Sequence, residues 1–172
     1  LKANVSTTIS ERLFHILHPS HVLLSALATT AMYRRHGGRG VWRTLWVGYL
    51  GSVGVATLSD CIIPFIGETL LNLPHRQLHF GFIDDWWLVN PLALLGIGLG
   101  AWLPRTQAPH TLHVLLSTWA SLFHFMMAMH GVPSFLTLLA IAAFLFLAVW
   151  IPCCTSDIVF PLLFTRNGAQ RL

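Results

Sequence analysis

Five apolar runs, at about 13–33, 41–71, 86–103, 112–130 and 134–164, alternate along the chain with short clusters rich in Pro, Gly or charge. Each run is continuous, without the period-2 alternation of a lipid-facing strand. Each also approaches the roughly 20 residues that cross a ~30 Å hydrocarbon core at helical rise. The pattern predicts an all-α integral membrane protein with five transmembrane helices in a single membrane domain covering 1–172. Connections such as "RRHGGRG", "LPRTQAP" and "GVP" are short, and only 72–85 is long enough to hold structure of its own. The opening "LKANVSTTIS" lacks both an initiating Met and an apolar signal core, so it is expected to be a trimmed end and not a targeting peptide.

Composition strengthens this picture. Of 172 residues, 55% are hydrophobic and only 9% charged, with a mean hydropathy of +0.67, whereas a soluble domain carries about 25% charged residues. Five spans would place Arg34, Arg35, Arg39, Arg43, Arg105, Arg166 and Arg171 on one side, and Lys2, Arg12 and Arg76 on the other. The positive-inside rule then predicts an outer N-terminus and a cytoplasmic C-terminus in a plasma or inner membrane. The formal charge of +4 fits topology and anionic lipid headgroups, not nucleic acid. Trp42, Trp86, Trp87 and Trp102 near span ends suit an interfacial belt.

The polar positions repeat. "HPSHVLLS" at 18–25 returns as "HTLHVLLS" at 110–117, so a shift of 92 aligns His18, His21, Ser25 and Ala28 with His110, His113, Ser117 and Ala120. Spacings of three and four put each set on one helical face. A second pair, "SDCIIP" at 59–64 and "SDIVFP" at 156–161, follows in the same order at a shift of 97. These matches predict a duplication: repeat 1 at about 11–72, a central helix at about 86–104, and repeat 2 at about 109–164. A single intervening span would invert the second copy, as in many secondary transporters. The expected result is two His, His, Asp clusters near opposite faces: His18, His21 and Asp60 at the outer one, His110, His113 and Asp157 at the inner one.

An ionisable side chain in the bilayer costs about 2.5–3.5 kcal/mol on insertion scales, so Asp60 and Asp157 need partners. Histidines at i and i+3 with a carboxylate from a neighbouring helix offer the N and O donors that bind divalent transition metals. Zn, Fe, Mn, Ni and Cu all remain open. The structural alternative is that each Asp accepts hydrogen bonds from His or Ser, or caps a restarted helix. His124 extends the second stripe by a further turn, as a relay between clusters. His75, His79 and His130, with His15, Asp84 and Asp85, are secondary candidates for collecting a cation at the outer end. Met126, Met127, Met129, Cys153 and Cys154 add soft donors. The Gly96–Gly100 pair suits close helix packing or a homodimer interface.

No HExxH, P-loop, GxSxG or paired CxxC motif is present. Three readings follow. One is a small divalent-metal transporter using both clusters. Another is an intramembrane metal-dependent hydrolase or oxidoreductase with its site near the outer face. The third, a haem-binding electron carrier, needs two histidines facing each other at one depth, and the inversion is expected to hold His21 and His113 far apart.

Overall fold

Local signals place the helix ends. Gly37 adopts a left-handed conformation (φ 86°); its N–H bonds Arg34 O at 3.2 Å and that of Gly38 bonds Tyr33 O at 2.9 Å. This is a Schellman stop, with Arg34 and Arg35 in the last helical turn against the negative end of the helix dipole. Asn72 (φ 52°) ends the next long helix in the same way: its N–H bonds Thr69 O, and that of Leu73 bonds Glu68 O. Ser134 caps the last long helix through its Oγ, which accepts from the Thr137 N–H at 3.2 Å.

The computed structural model describes residues 2–103, 107–129 and 133–165, with side chains from residue 8 onward except at 107, 108, 154, 156 and 157. Its elements are α1 (Lys2–Arg35), α2 (Val41–Leu70), the short α3 (Gly81–Asp84), α4 (Trp86–Trp102), α5 (Gln107–Ala128) and α6 (Phe135–Cys154). A π-helical turn at Thr155–Val159 and a last helical turn, α7 (Phe160–Leu163), extend α6. Helix α2 contains two π turns of its own, Leu50–Gly54 and Leu58–Ile62. No strand occurs among the described residues.

Three helices are long and apolar enough to cross a membrane: Val41–Leu70, Pro109–Ala128 and Phe135–Cys153. The expected five reduce to three on this criterion for two reasons. Helix α4 is apolar but only 17 residues long. Helix α1 has 34 residues but carries His18, His21, Ser25, Thr29 and Thr30, all buried against its neighbours. It is the central helix, packed along its length on α4 and α5.

Contacts fix the helix directions. Gly96 and Gly100 of α4 lie on the carbonyls of Leu23 and Leu27 of α1, so α1 and α4 run parallel. His113 of α5 meets His21 of α1, while His124 meets Phe14, so α5 runs antiparallel to α1. Gly67 of α2 faces Phe125 of α5 and Phe144 of α6, and Gly51 faces Thr29 and Phe160. The five long helices therefore alternate in direction. Large apolar side chains such as Trp42, Leu94, Phe135, Leu139, Phe146 and Trp150 point outward. Histidine, serine, threonine and two carboxylates point inward. That is the reverse of a water-soluble protein and suits an apolar solvent.

Glycine makes the α1–α4 contact, since a Cβ at Gly96 or Gly100 would run into α1 backbone, whereas one at Gly98 would meet nothing within 4 Å. Gly96→Val should therefore lower stability by about 1–3 kcal/mol through forced separation of the helices, and Gly98→Ala should leave it unchanged. Thermal melting of the two variants in detergent checks this contrast.

Candidate metal centre

Pro64 has no N–H to offer the helix behind it, and the chain accommodates this with the π turn at Leu58–Ile62, one residue upstream of the α-helical segment Ile63–Leu70. The Ser59 carbonyl, which a π-type bond from residue 64 would have satisfied, instead accepts the Ser121 hydroxyl of α5 at 3.1 Å. The same turn presents Asp60 to the interior, fully buried.

Four side chains converge on that carboxylate at 2.9 Å or closer, and Ser121 Oγ is a more distant fifth at 3.5 Å. His18 Nδ1 and His21 Nδ1, from one face of α1, lie 2.9 and 2.7 Å from Asp60 Oδ2. Ser59 Oγ and Ser117 Oγ donate to Oδ1 at 2.7 and 2.8 Å. A carboxylate only accepts, so each ring donates its Nδ1–H and keeps its Nε2 turned away. Two atoms bound to one zinc at ~2.0–2.1 Å stand about 3.3 Å apart in a tetrahedron. The Nδ1–Oδ2 distances are shorter, at hydrogen-bond length, so Asp60 stands as the group that orients the two imidazoles, and their Nε2 atoms are the faces offered to an ion.

On its Nε2 side His21 meets the other half of the chain. Cys153 Sγ of α6 is 4.0 Å from His21 Nε2. The His113 ring stacks on His21 with centroids 5.4 Å apart and planes within 5°. Two buried triads thus share His21: His18, His21 and Asp60, and His21, His113 and Cys153, each with its donor atoms within 4.8 Å of one another. These His, Asp and Cys groups can hold a metal ion.

This arrangement corrects the expected separation of two clusters. His21 and His113 are stacked, not far apart, because α1 begins well before the first predicted span and so carries His18 and His21 at mid-helix, where α5 crosses it. Face-to-face rings do not aim two nitrogens at one haem iron between them. His110 is half-buried with its ring 5.2 Å from His113. The side chain of Asp157, and His130 altogether, lie outside the described residues.

His124 also departs from its expected place between two clusters. Since α5 runs antiparallel to α1, it lies one level further toward the α1 N-terminus, where its Nδ1 bonds Glu68 Oε1 at 2.6 Å. Glu68 is completely buried and sequence reasoning passed over it. Its signal was a lone acidic residue inside the run "IIPFIGETLL".

At that same end, His15 Nδ1 bonds Asp85 Oδ2 at 2.7 Å, and His79 bridges Asp84 and Asp85 at 3.1 and 3.2 Å. His15, His79 and Asp85 form a third, half-buried group with metal-ligand spacing. His75 is an exposed loop residue whose N–H bonds Ala128 O at 3.3 Å. Burial pushes the His79 imidazole below its ordinary value, against the pull of Asp85 and Asp84. Burial alone would raise the Asp85 carboxyl, but the His15 and His79 contacts together hold it below the usual carboxylate range.

No family model matches the chain, and neither the curated proteins nor the solved structures contain a match.

Removing the Ser117 hydroxyl (Ser117→Ala) should cost about 1–3 kcal/mol by leaving Asp60 Oδ1 one donor short, and Asp60→Asn should cost more, about 3–5 kcal/mol, because both imidazoles lose their anionic acceptor. Melting in detergent ranks the two. A depressed His79 contributes stability that is present at neutral pH and declines as pH falls through the ordinary histidine value. Acidification from pH 7.5 to about 5.5 should therefore lower the protection of the amides in 79–85 relative to their intrinsic exchange rate at each pH, with Asp85 adding its loss only below the usual carboxylate range.

Proposed function

We propose that this chain is a five-span membrane protein, built as an inverted duplication, that binds and moves a divalent transition-metal ion through the paired triads sharing His21. The observation that carries this reading is a fully buried imidazole fixed by Asp60 on one side and facing Cys153 and His113 on the other. Such a centre draws ligands from both halves of the chain, and its N and S donors suit borderline and soft ions such as zinc, cobalt or copper.

Backbone geometry adds to the side-chain matches in supporting the duplication. The π turns at Leu58–Ile62 and Thr155–Val159 are related by the same shift of 97 that aligns the two Ser-Asp-x-x-x-Pro motifs. Each is followed at once by a helical segment with Pro in its first turn, Pro64 or Pro161. The shift also maps the Gly67–Phe144 contact onto Phe164 and Val47, which line one groove. Alternating helix directions give the two halves opposite senses, as an inverted repeat requires. The Arg34, Arg35, Arg39 and Arg43 cluster at the far end of α1 supports a cytoplasmic location for that end, and so an outer location for the end carrying His15, His79 and Asp85.

The half-buried group at that outer end favours a second reading, a metal-dependent enzyme working near the headgroups. Purified chain in liposomes should take up cobalt(II) or zinc(II), with uptake falling at least about 10-fold in His21→Gln and Asp60→Asn through loss of a ligand and of its orienting group. Variants that fold and transport at the wild-type rate would exclude the triads from the pathway. Metal-dependent turnover without uptake would select the enzyme.

A further inference from the structure

We infer that the cavity beside the α1 N-terminal half is a second, separate divalent-cation site whose fixed ligand is His124, oriented and backed by the Glu68 carboxylate. The cavity holds about 430 Å³ and is lined by Glu11, His15, Glu68, His75, His79 and His124. Among the described residues no lysine or arginine lines it, so its polar wall is made of carboxylates, imidazoles and the Gln77 amide. Those are cation donors, and imidazole among them favours transition metals over magnesium or calcium.

Glu68 and His124 stand out from the other lining residues by burial. They are 0% and 1% exposed, yet Glu68 Oε2 and His124 Nε2 have no hydrogen-bond partner among the described residues. Leaving a buried ring nitrogen unsatisfied is costly, and a cation bound at His124 Nε2 satisfies it while the Glu68 charge lies close behind the ring. Their mutual bond prepares them for it. Glu68 Oε1 takes the Nδ1–H of His124 at 2.6 Å, which fixes the tautomer and leaves the Nε2 lone pair for an ion. The same carboxylate-to-Nδ1 arrangement holds His18 and His21 on Asp60. Water and the more exposed Glu11 or His75 would complete the coordination sphere.

The site is distinct from the deeper centre because Phe14, fully buried, lies between them. Its ring stacks on His18 at 5.4 Å and meets His124 edge-on at 5.4 Å and His79 at 5.6 Å. Binding in the cavity stands without the transport reading; only its role as an outer station, loaded before the ion passes Phe14, rests on it.

Cobalt(II) titrated into the detergent-purified chain, followed by its ligand-field absorption, tests this. Wild type should bind in two steps. Glu68→Gln keeps an acceptor for His124 but removes the charge, and His124→Gln removes the ring nitrogen; each should weaken one step about 10- to 100-fold. The step lost in Asp60→Asn should be the other one. Either cavity variant, folded and binding both ions as wild type does, overturns the inference. A step that vanishes in Asp60→Asn while Glu68→Gln changes nothing keeps the deeper centre and removes this one. A step lost in Glu68→Gln but untouched in Asp60→Asn keeps this site and removes the deeper one.

Discussion

A carboxylate removed from water among apolar helices survives only if its oxygens are saturated, and Asp60 is held by four donors within 2.9 Å. Two of those donors come from α1, one from α5 and one from the residue before it. Three helices are thus tied at one point. The tie explains why α1 sits in the middle: its His18, His21 and Ser25 face has to be enclosed, and the apolar surfaces of α2, α4, α5 and α6 are what remains to face outward. It also explains the small residues. Gly96 and Gly100 let α4 lie directly on α1 carbonyls, and Tyr49 of α2 reaches Asn90 of α4 at 2.7 Å, so the polar seam is closed on the side away from α5.

Much of this was legible from spacing. Histidines three apart followed by Ser25 define a helical face whatever the tertiary structure, and an aspartate in an apolar run announces that it has partners. The helical class and the pairing of His18 and His21 with Asp60 needed nothing more. The depth at which helices cross was not legible. It depends on where a helix starts, and α1 starts eleven residues before its apolar run, about 16 Å at helical rise. That offset brings His21 to the level of His113. Cys153 was visible as a soft donor, but its place opposite His21 Nε2 needed the fold. Glu68 failed to register because it belongs to no repeat, although the cost of burying a lone acid is the same argument that picked out Asp60.

The π turns connect sequence to site most directly. Proline four residues after each aspartate removes a backbone donor, and the turn widens there. At the first motif the carbonyl freed by that change accepts Ser121, and the widened turn delivers Asp60 to His18, His21 and Ser117. Ser-Asp-x-x-x-Pro is therefore one device in which the proline makes the backbone change that places the acid. The same π turn recurs in the same register at 155–159, so the two motifs share a backbone geometry as well as a string of letters.

The two ends of the bundle nonetheless differ. Shifts of 97 and 92 carry Glu68 and His124 onto Thr165 and Met32, so this buried carboxylate–imidazole pair has no counterpart at those two positions. Acidic residues gather at that end, where Glu11, Asp84 and Asp85 join Glu68, while Arg34, Arg35, Arg39 and Arg43 occupy the other. A perfectly symmetric inverted repeat would present a cation with equal approaches from both sides. Here one approach carries four acids and several imidazoles beside Lys2, Arg12 and Arg76, and the other an arginine cluster, so the field along the bundle is less positive toward the Glu68 end. The shared His21 centre lies inward of that approach, behind the aromatic ring of Phe14. An ion that reaches it from the Glu68 end exchanges a partly hydrated, mainly oxygen and imidazole environment for a dry one with imidazole and sulfur, an exchange that selects for softer, more readily dehydrated ions.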